Sequence, residues 1–157
     1  MTPMGLTFDL HEGLIAGQSP TEKRLSALAG CWVDPDAYAK ACAASDPLVY
    51  RVTSAPETAS PGGLGYGLGC VLSGRVGDEY YLTRGHLHQR REAAEVYVGL
   101  RGVGLMLLED ERTGACTAMP LAAGTTVYVP GYTAHRTINV GDEPLIYWGI
   151  YLNDDGH

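Results

Sequence analysis

From Pro47 onward the chain breaks into nine short β-prone runs separated by turn signals, and that rhythm confines it to a sandwich or a barrel. The runs are Leu48 to Thr53, Gly67 to Leu72, Glu79 to Thr83, Glu95 to Arg101, Gly104 to Glu109, Cys116 to Pro120, Thr125 to Val129, His135 to Val140 and Leu145 to Leu152. Composition agrees, since 21 glycines and 10 tyrosines against one phenylalanine favour turns and strands. At 157 residues the chain is one domain's worth, long enough to bury roughly 70% of the surface that its unfolded form exposes.

Ahead of the β runs lies an arm, residues 1–45, with a short helix expected around Thr21 to Leu28. Asp34-Pro35-Asp36 reads as N-cap, N1 proline and acidic first turn of a second helix ending near Ser45. Residues 46–157 are then the barrel, and the two parts are expected to form a single domain. The Pro-, Ser- and Gly-rich stretch Thr53 to Gly65 is expected to be the most mobile loop.

A formal charge of −7 excludes nucleic acid as a partner, because that binding neutralises phosphates with Lys and Arg. One phosphate on a small molecule is still within reach of a few local donors. The longest apolar stretch, Val96 to Leu108, is interrupted by glycines and Arg101, so no membrane partner is expected. Cys31, Cys42, Cys70 and Cys116 are widely spaced, and the N-terminus has no charged segment followed by an apolar one. They are expected to be reduced packing thiols of a cytoplasmic protein.

Chemistry concentrates in two places. Gly85-His86-Leu87-His88 sets two imidazoles two residues apart, so on a strand both face one side. Glu95 follows after the turn at Gln89 to Ala94 and shares a strand face with Tyr97. The second place is Pro130-Gly131-Tyr132-Thr133-Ala134-His135, after which His135, Thr137 and Asn139 alternate on one face. Three imidazoles and a carboxylate suit Fe(II), Mn(II), Zn(II), Ni(II) or Cu(II), with positions open for substrate if coordination is octahedral. Tyr97 and Tyr151 are either barrel-filling aromatics or ligand contacts. Arg84 and Arg136, adjacent to histidines, are expected on the opposite strand face as surface or dimer-contact charges.

These residues resemble the two cupin motifs: His86, His88, Glu95 and Gly102 for the first, and Gly124, Pro130, His135 and Asn139 for the second, with Tyr132 where a glycine usually stands. The wider stretches Thr83 to His88, Glu95 to Gly102, Val127 to Asn139 and Gly141 to Tyr151 resemble the cupin-type glucose-6-phosphate isomerases of archaea and some bacteria. So do Lys23 to Ser26 and Asp46 to Tyr50. The resemblance implies a mainly β fold, a cupin jelly-roll barrel with short N-terminal helices, and a homodimeric enzyme interconverting glucose 6-phosphate and fructose 6-phosphate. It implies one divalent metal per subunit on His86, His88, Glu95 and His135, Fe(II) first, with Mn(II), Zn(II) or Ni(II) also fitting.

By the same resemblance Tyr50, Thr83 and Gly85 lie near the phosphate, Tyr97, Tyr151 and His157 near the sugar, and Glu95, His135 and Tyr97 take part in catalysis. Two routes serve the reaction: proton removal by Glu95 through a cis-enediol, or a hydride shift with both oxygens held by the metal. Relatives carry a threonine pair on the strand before the Gly85-His86 hairpin, one of them at the phosphate, whereas this chain reads Gly69-Cys70. Alternatives are therefore an isomerase of another sugar-like metabolite, a non-haem Fe(II) oxygenase or lyase, and a sugar-binding barrel without activity.

Overall fold

Strand β1 (Phe8–Asp9) and strand β2 (Leu14–Ile15) form a hairpin, and β3 (Thr21–Arg24) runs into a 3-10 turn, Leu25–Leu28, before helix α1 (Pro35–Ala44). Ten strands follow: β4 (Leu48–Ser54), β5 (Leu64–Val71), β6 (Arg75–Val76), β7 (Glu79–Tyr80), β8 (Glu95–Arg101), β9 (Val103–Asp110), β10 (Cys116–Ala122), β11 (Thr126–Val129), β12 (Thr133–Asn139) and β13 (Leu145–Leu152). The structure is a computed structural model, and it describes residues 4–56 and 62–153. Residues 57–61 of the expected mobile loop lie outside that description, as does His157.

The strands pair antiparallel into a six-stranded sheet, β11-β8-β13-β5-β4-β3, and a three-stranded sheet, β10-β9-β12. Between them sits the main core, including Val49, Val71, Met106, Leu121, Val127 and Leu145, with Leu25 and Leu28 of the 3-10 turn packed in. Alternation makes this possible: β12 is buried at Thr133, His135, Thr137 and Asn139 and half-exposed between them. A smaller cluster, Ile15, Leu68, Cys70 and Ile146, lies on the other face of the large sheet, where Leu6 and Phe8 help to cover it.

The helix expected around Thr21 to Leu28 is a correction. Thr21–Arg24 is an edge strand beside β4, and just the last four residues form a 3-10 turn. Glu, Lys and Arg are good helix formers by propensity, but they also protect a sheet edge, and pairing with Tyr50, Arg51 and Val52 decides the matter here. Helix α1 forms as the sequence indicates, with Asp34 accepting from the Asp36 and Ala37 amides. The run at Glu79 to Thr83 shortens to Glu79–Tyr80.

Two stretches that the resemblance singled out, Lys23 to Ser26 and Asp46 to Tyr50, meet in space. Asp46 accepts from Ser26 N at 2.7 Å and from Ser26 Oγ at 2.9 Å, which holds its carboxyl below the usual carboxylate range. Their shared role is to pin the 3-10 turn against the start of β4. All four cysteines are free; Cys70 is buried, but Cys116 is exposed and is no packing thiol.

Candidate metal centre and cavity

Gly85-His86-Leu87-His88 does not lie on a regular strand, contrary to expectation. It follows the edge of β12 through two isolated bridges, Leu82 to Ile138 and His86 to His135. Gly85 explains the break: its φ is +77°, and a Cβ there would stand 2.9 Å from the His135 carbonyl oxygen. A left-handed residue ends an extended run, and the contact with β12 needs the missing side chain. The His86 N–H then donates to the His135 carbonyl at 3.1 Å and the His135 N–H to the His86 carbonyl at 3.0 Å.

That pairing brings the predicted ligands together. One ligand atom from each of His86, His88, Glu95 and His135 lies within 4.8 Å of the others. Glu95 opens β8, His135 sits on β12, and both are buried, as is His88, while His86 is exposed. Glu95 Oε2 is 3.1 Å from His88 Nε2 and 3.1 Å from His135 Nε2. The opposite nitrogens face carbonyls: His88 Nδ1 is 3.2 Å from Ala93 O and His135 Nδ1 is 3.3 Å from Thr133 O.

Carbonyls only accept, so each Nδ1 carries the proton and each Nε2 turns a lone pair inward. Two lone pairs and a carboxylate oxygen converge in a buried space, an arrangement that a cation satisfies. The 3.1 Å separations suit it, because bonds of about 2.1 Å place neighbouring ligand atoms about 3.0 Å apart in an octahedron. The residues therefore fit a divalent ion.

A 360 Å³ cavity opens from this centre, lined among others by Tyr50, Thr83, Gly85, Tyr97, Tyr147 and Tyr151. Thus every described residue that the resemblance placed at the substrate lies on its wall. Tyr97 OH is 3.1 Å from His135 Nε2, and burial with the nearby Glu95 charge pushes its phenol well up, so it keeps its proton. Burial likewise raises Tyr50, against an opposing Arg84 backbone amide. Thr83 Oγ1 accepts from the Thr137 amide at 3.0 Å, leaving its own hydroxyl hydrogen to give.

Asn139, the last residue of the second motif, has a different task. It is fully buried and uses every polar atom on the backbone: Nδ2 donates to Val71 O and Glu143 O, both at 2.9 Å, and Oδ1 accepts from Gly141 N at 2.9 Å. Tyr132 occupies the glycine position of that motif with φ 61°, its ring against Arg112 and its hydroxyl 2.8 Å from Glu92. Arg84 and Arg136 also border the cavity, which their expected place on the far strand face did not indicate. Tyr147 was missed too, although it shares strand parity with Tyr151 on β13, and that period of two was the available signal.

A jelly-roll of two antiparallel sheets with a three-histidine, one-carboxylate cluster between them defines the protein as a cupin with a candidate metal centre. Among solved structures it is similar to oxalate decarboxylase from Bacillus subtilis, at 25% identity and TM-score 0.54, over 69% of this chain and 26% of that one. It is also similar to oxalate oxidase in complex with glycolate, at 18% identity and TM-score 0.56, over 71% of this chain and 55% of that one, a likeness of fold. The family model for glucose-6-phosphate isomerase matches residues 22–157, and the chain belongs to that family. Relatives include the glucose-6-phosphate isomerases of Pyrococcus horikoshii, 39% identical over 99% of this chain and 82% of its own length, and Thermococcus kodakarensis, 41% identical over 99% and 81%. That of Sinorhizobium medicae is 36% identical over 98% and 72%.

Proposed function

We propose that this protein interconverts glucose 6-phosphate and fructose 6-phosphate at the His86, His88, Glu95 and His135 centre. The observation that carries the reading is the convergence of these four side chains within 4.8 Å at the wall of a cavity whose other donors include four phenols, the hydroxyls of Ser54 and Thr83, and Arg84 and Arg136. Family membership supplies the substrate class.

The phosphate lies toward Tyr50, Thr83 and the Gly85 amide, which can donate to a dianion without a full positive charge. C1 and C2 then lie toward the cluster. A divalent ion held there supplies Lewis acidity to the sugar carbonyl, with Fe(II) the first candidate and Mn(II), Zn(II) or Ni(II) next. Tyr97, kept protonated, donates to a substrate oxygen and orients it. His135 is held by its Thr133 contact in the tautomer that presents Nε2. Glu95 Oε2 stands 3.1 Å from the Nε2 atoms of His88 and His135 and would share an ion with them, so it would have to leave that ion before acting as a base. That favours direct transfer of hydrogen between C1 and C2 over the cis-enediol. Tyr151 borders the sugar half of the cavity. We assign His157 a sugar contact on the resemblance alone. On the same basis the protein is a homodimer, and its four free, widely spaced cysteines suit the cytoplasm.

The test is a coupled assay of fructose 6-phosphate turnover without oxygen, on chelator-stripped protein and on protein reloaded with each divalent metal. Activity is expected after reloading and absent after stripping. No turnover with any metal sinks the isomerase reading, and turnover that requires oxygen favours an Fe(II) oxygenase instead.

A further inference from the structure

The cavity-facing side of β5 carries Gly65, Gly67 and Gly69, and the directly opposite positions on β13 are Tyr151, Gly149 and Tyr147. Two tyrosine rings thus lie down over two glycines. At Gly69 the ring presents its hydroxyl end: a Cβ there would stand 2.2 Å from Tyr147 Cζ and 2.4 Å from its hydroxyl oxygen. The Tyr147 phenol therefore fills the space into which a side chain at position 69 would project.

Tyr147 is 7% exposed and lines the cavity, its ring centred 5.3 Å from that of Tyr97. Thr137 lines the same cavity and is tied to Thr83 in both directions, its N–H to Thr83 Oγ1 at 3.0 Å and the Thr83 N–H to its carbonyl at 2.9 Å. Tyr147 therefore shares one cavity wall with Tyr50, Thr83 and Gly85. A buried phenol keeps its proton and is a donor throughout the working pH range.

The geometry points to Tyr147 as a substrate-anchoring residue, its phenol standing in the place of a residue-69 side chain and donating a hydrogen bond to the sugar's phosphate. This rests on the isomerase reading for the identity of the substrate. Gly69 and Tyr147 form one unit: the glycine is required by the ring, and the ring supplies the hydroxyl that the glycine lacks. The departure at Gly69-Cys70 then removes no donor from the cavity.

Tyr147→Phe keeps the ring over Gly69 and removes just the hydroxyl, so the fold is retained. With metal-loaded protein, KM for fructose 6-phosphate and Kd for inorganic phosphate are both expected to rise about tenfold, the usual weight of a hydrogen bond to a charged group, while kcat stays within about twofold. An unchanged phosphate Kd, or no phosphate binding by the natural protein, overturns the assignment. Gly69→Ala must push the ring aside and should weaken phosphate binding similarly, with no further loss when added to Tyr147→Phe; additive losses would show that the two positions act separately and overturn the unit. Phosphate binding needs no turnover. A natural protein that binds phosphate but isomerises nothing therefore refutes the isomerase reading and leaves the Tyr147 comparison decisive.

Discussion

His88 and His135 are set by what lies behind them: Ala93 O and Thr133 O fix which nitrogen carries the proton, and so which faces Glu95. The ligand set was legible from the His-x-His spacing, Glu95 after a turn and the later His135, which together resemble the cupin motifs, although the strand geometry expected for His86 and His88 does not hold. The roles of Asn139 and Tyr147 were not legible, since nothing local distinguishes a lock from a ligand or a core aromatic from a lining one. Asn139→Ala leaves the Gly141 amide and two carbonyls without their partner, and about 2–4 kcal/mol of stability should be lost in chemical denaturation. A midpoint unchanged from the natural protein would contradict that role. Thr83→Val should raise KM for the phosphorylated substrate with metal content unaltered, and Thr83→Ser should restore it.

Elements were read well where pattern and context agree and poorly where they conflict. Glu95–Arg101 and Leu145–Leu152 have the expected bounds, and α1 starts at its proline as its cap requires. Strand β3 was misread because its charged residues serve an edge, and pairing with β4 is invisible locally. Likewise, Gly85-His86-Leu87-His88 reads as a strand although Gly85 breaks it at φ +77°. Gly85→Ala should cost more than about 1 kcal/mol from the left-handed backbone alone, with the approach to His135 O adding to it. The segment should detach from β12, and a fall in metal affinity larger than the fall in stability is the expected signature.

For the molecule as a whole, we propose that residues 1–157 form one unit, since hairpin β1–β2 covers the outer face of the sheet that β3 extends. A sandwich or barrel was legible from the count of β runs and the cupin jelly-roll from the resemblance of its motifs, whereas the assembly of two sheets around a cavity depends on pairings distant in sequence. On β9, the middle strand of the smaller sheet, Val103 and Leu107 are exposed apolar side chains on one face, in keeping with the proposed dimer. Light scattering should give twice the 16.7 kDa chain mass, and a monomer at micromolar concentration would contradict it. Tyr50 and Tyr147 are raised by burial above the unfolded value of about 10, so the native state holds protons that the unfolded chain has lost. Their contribution to stability is complete below about pH 10 and is lost as pH rises toward their native values. The urea midpoint should therefore fall above about pH 10, and a flat profile there would count against the burial of these phenols.

Elemental analysis of metal per chain in the natural protein and in His88→Ala tests the central claim most directly. The four-residue centre predicts one divalent ion per natural chain and a sharp loss on His88→Ala with the fold kept by circular dichroism. Equal metal content in the two proteins would contradict it.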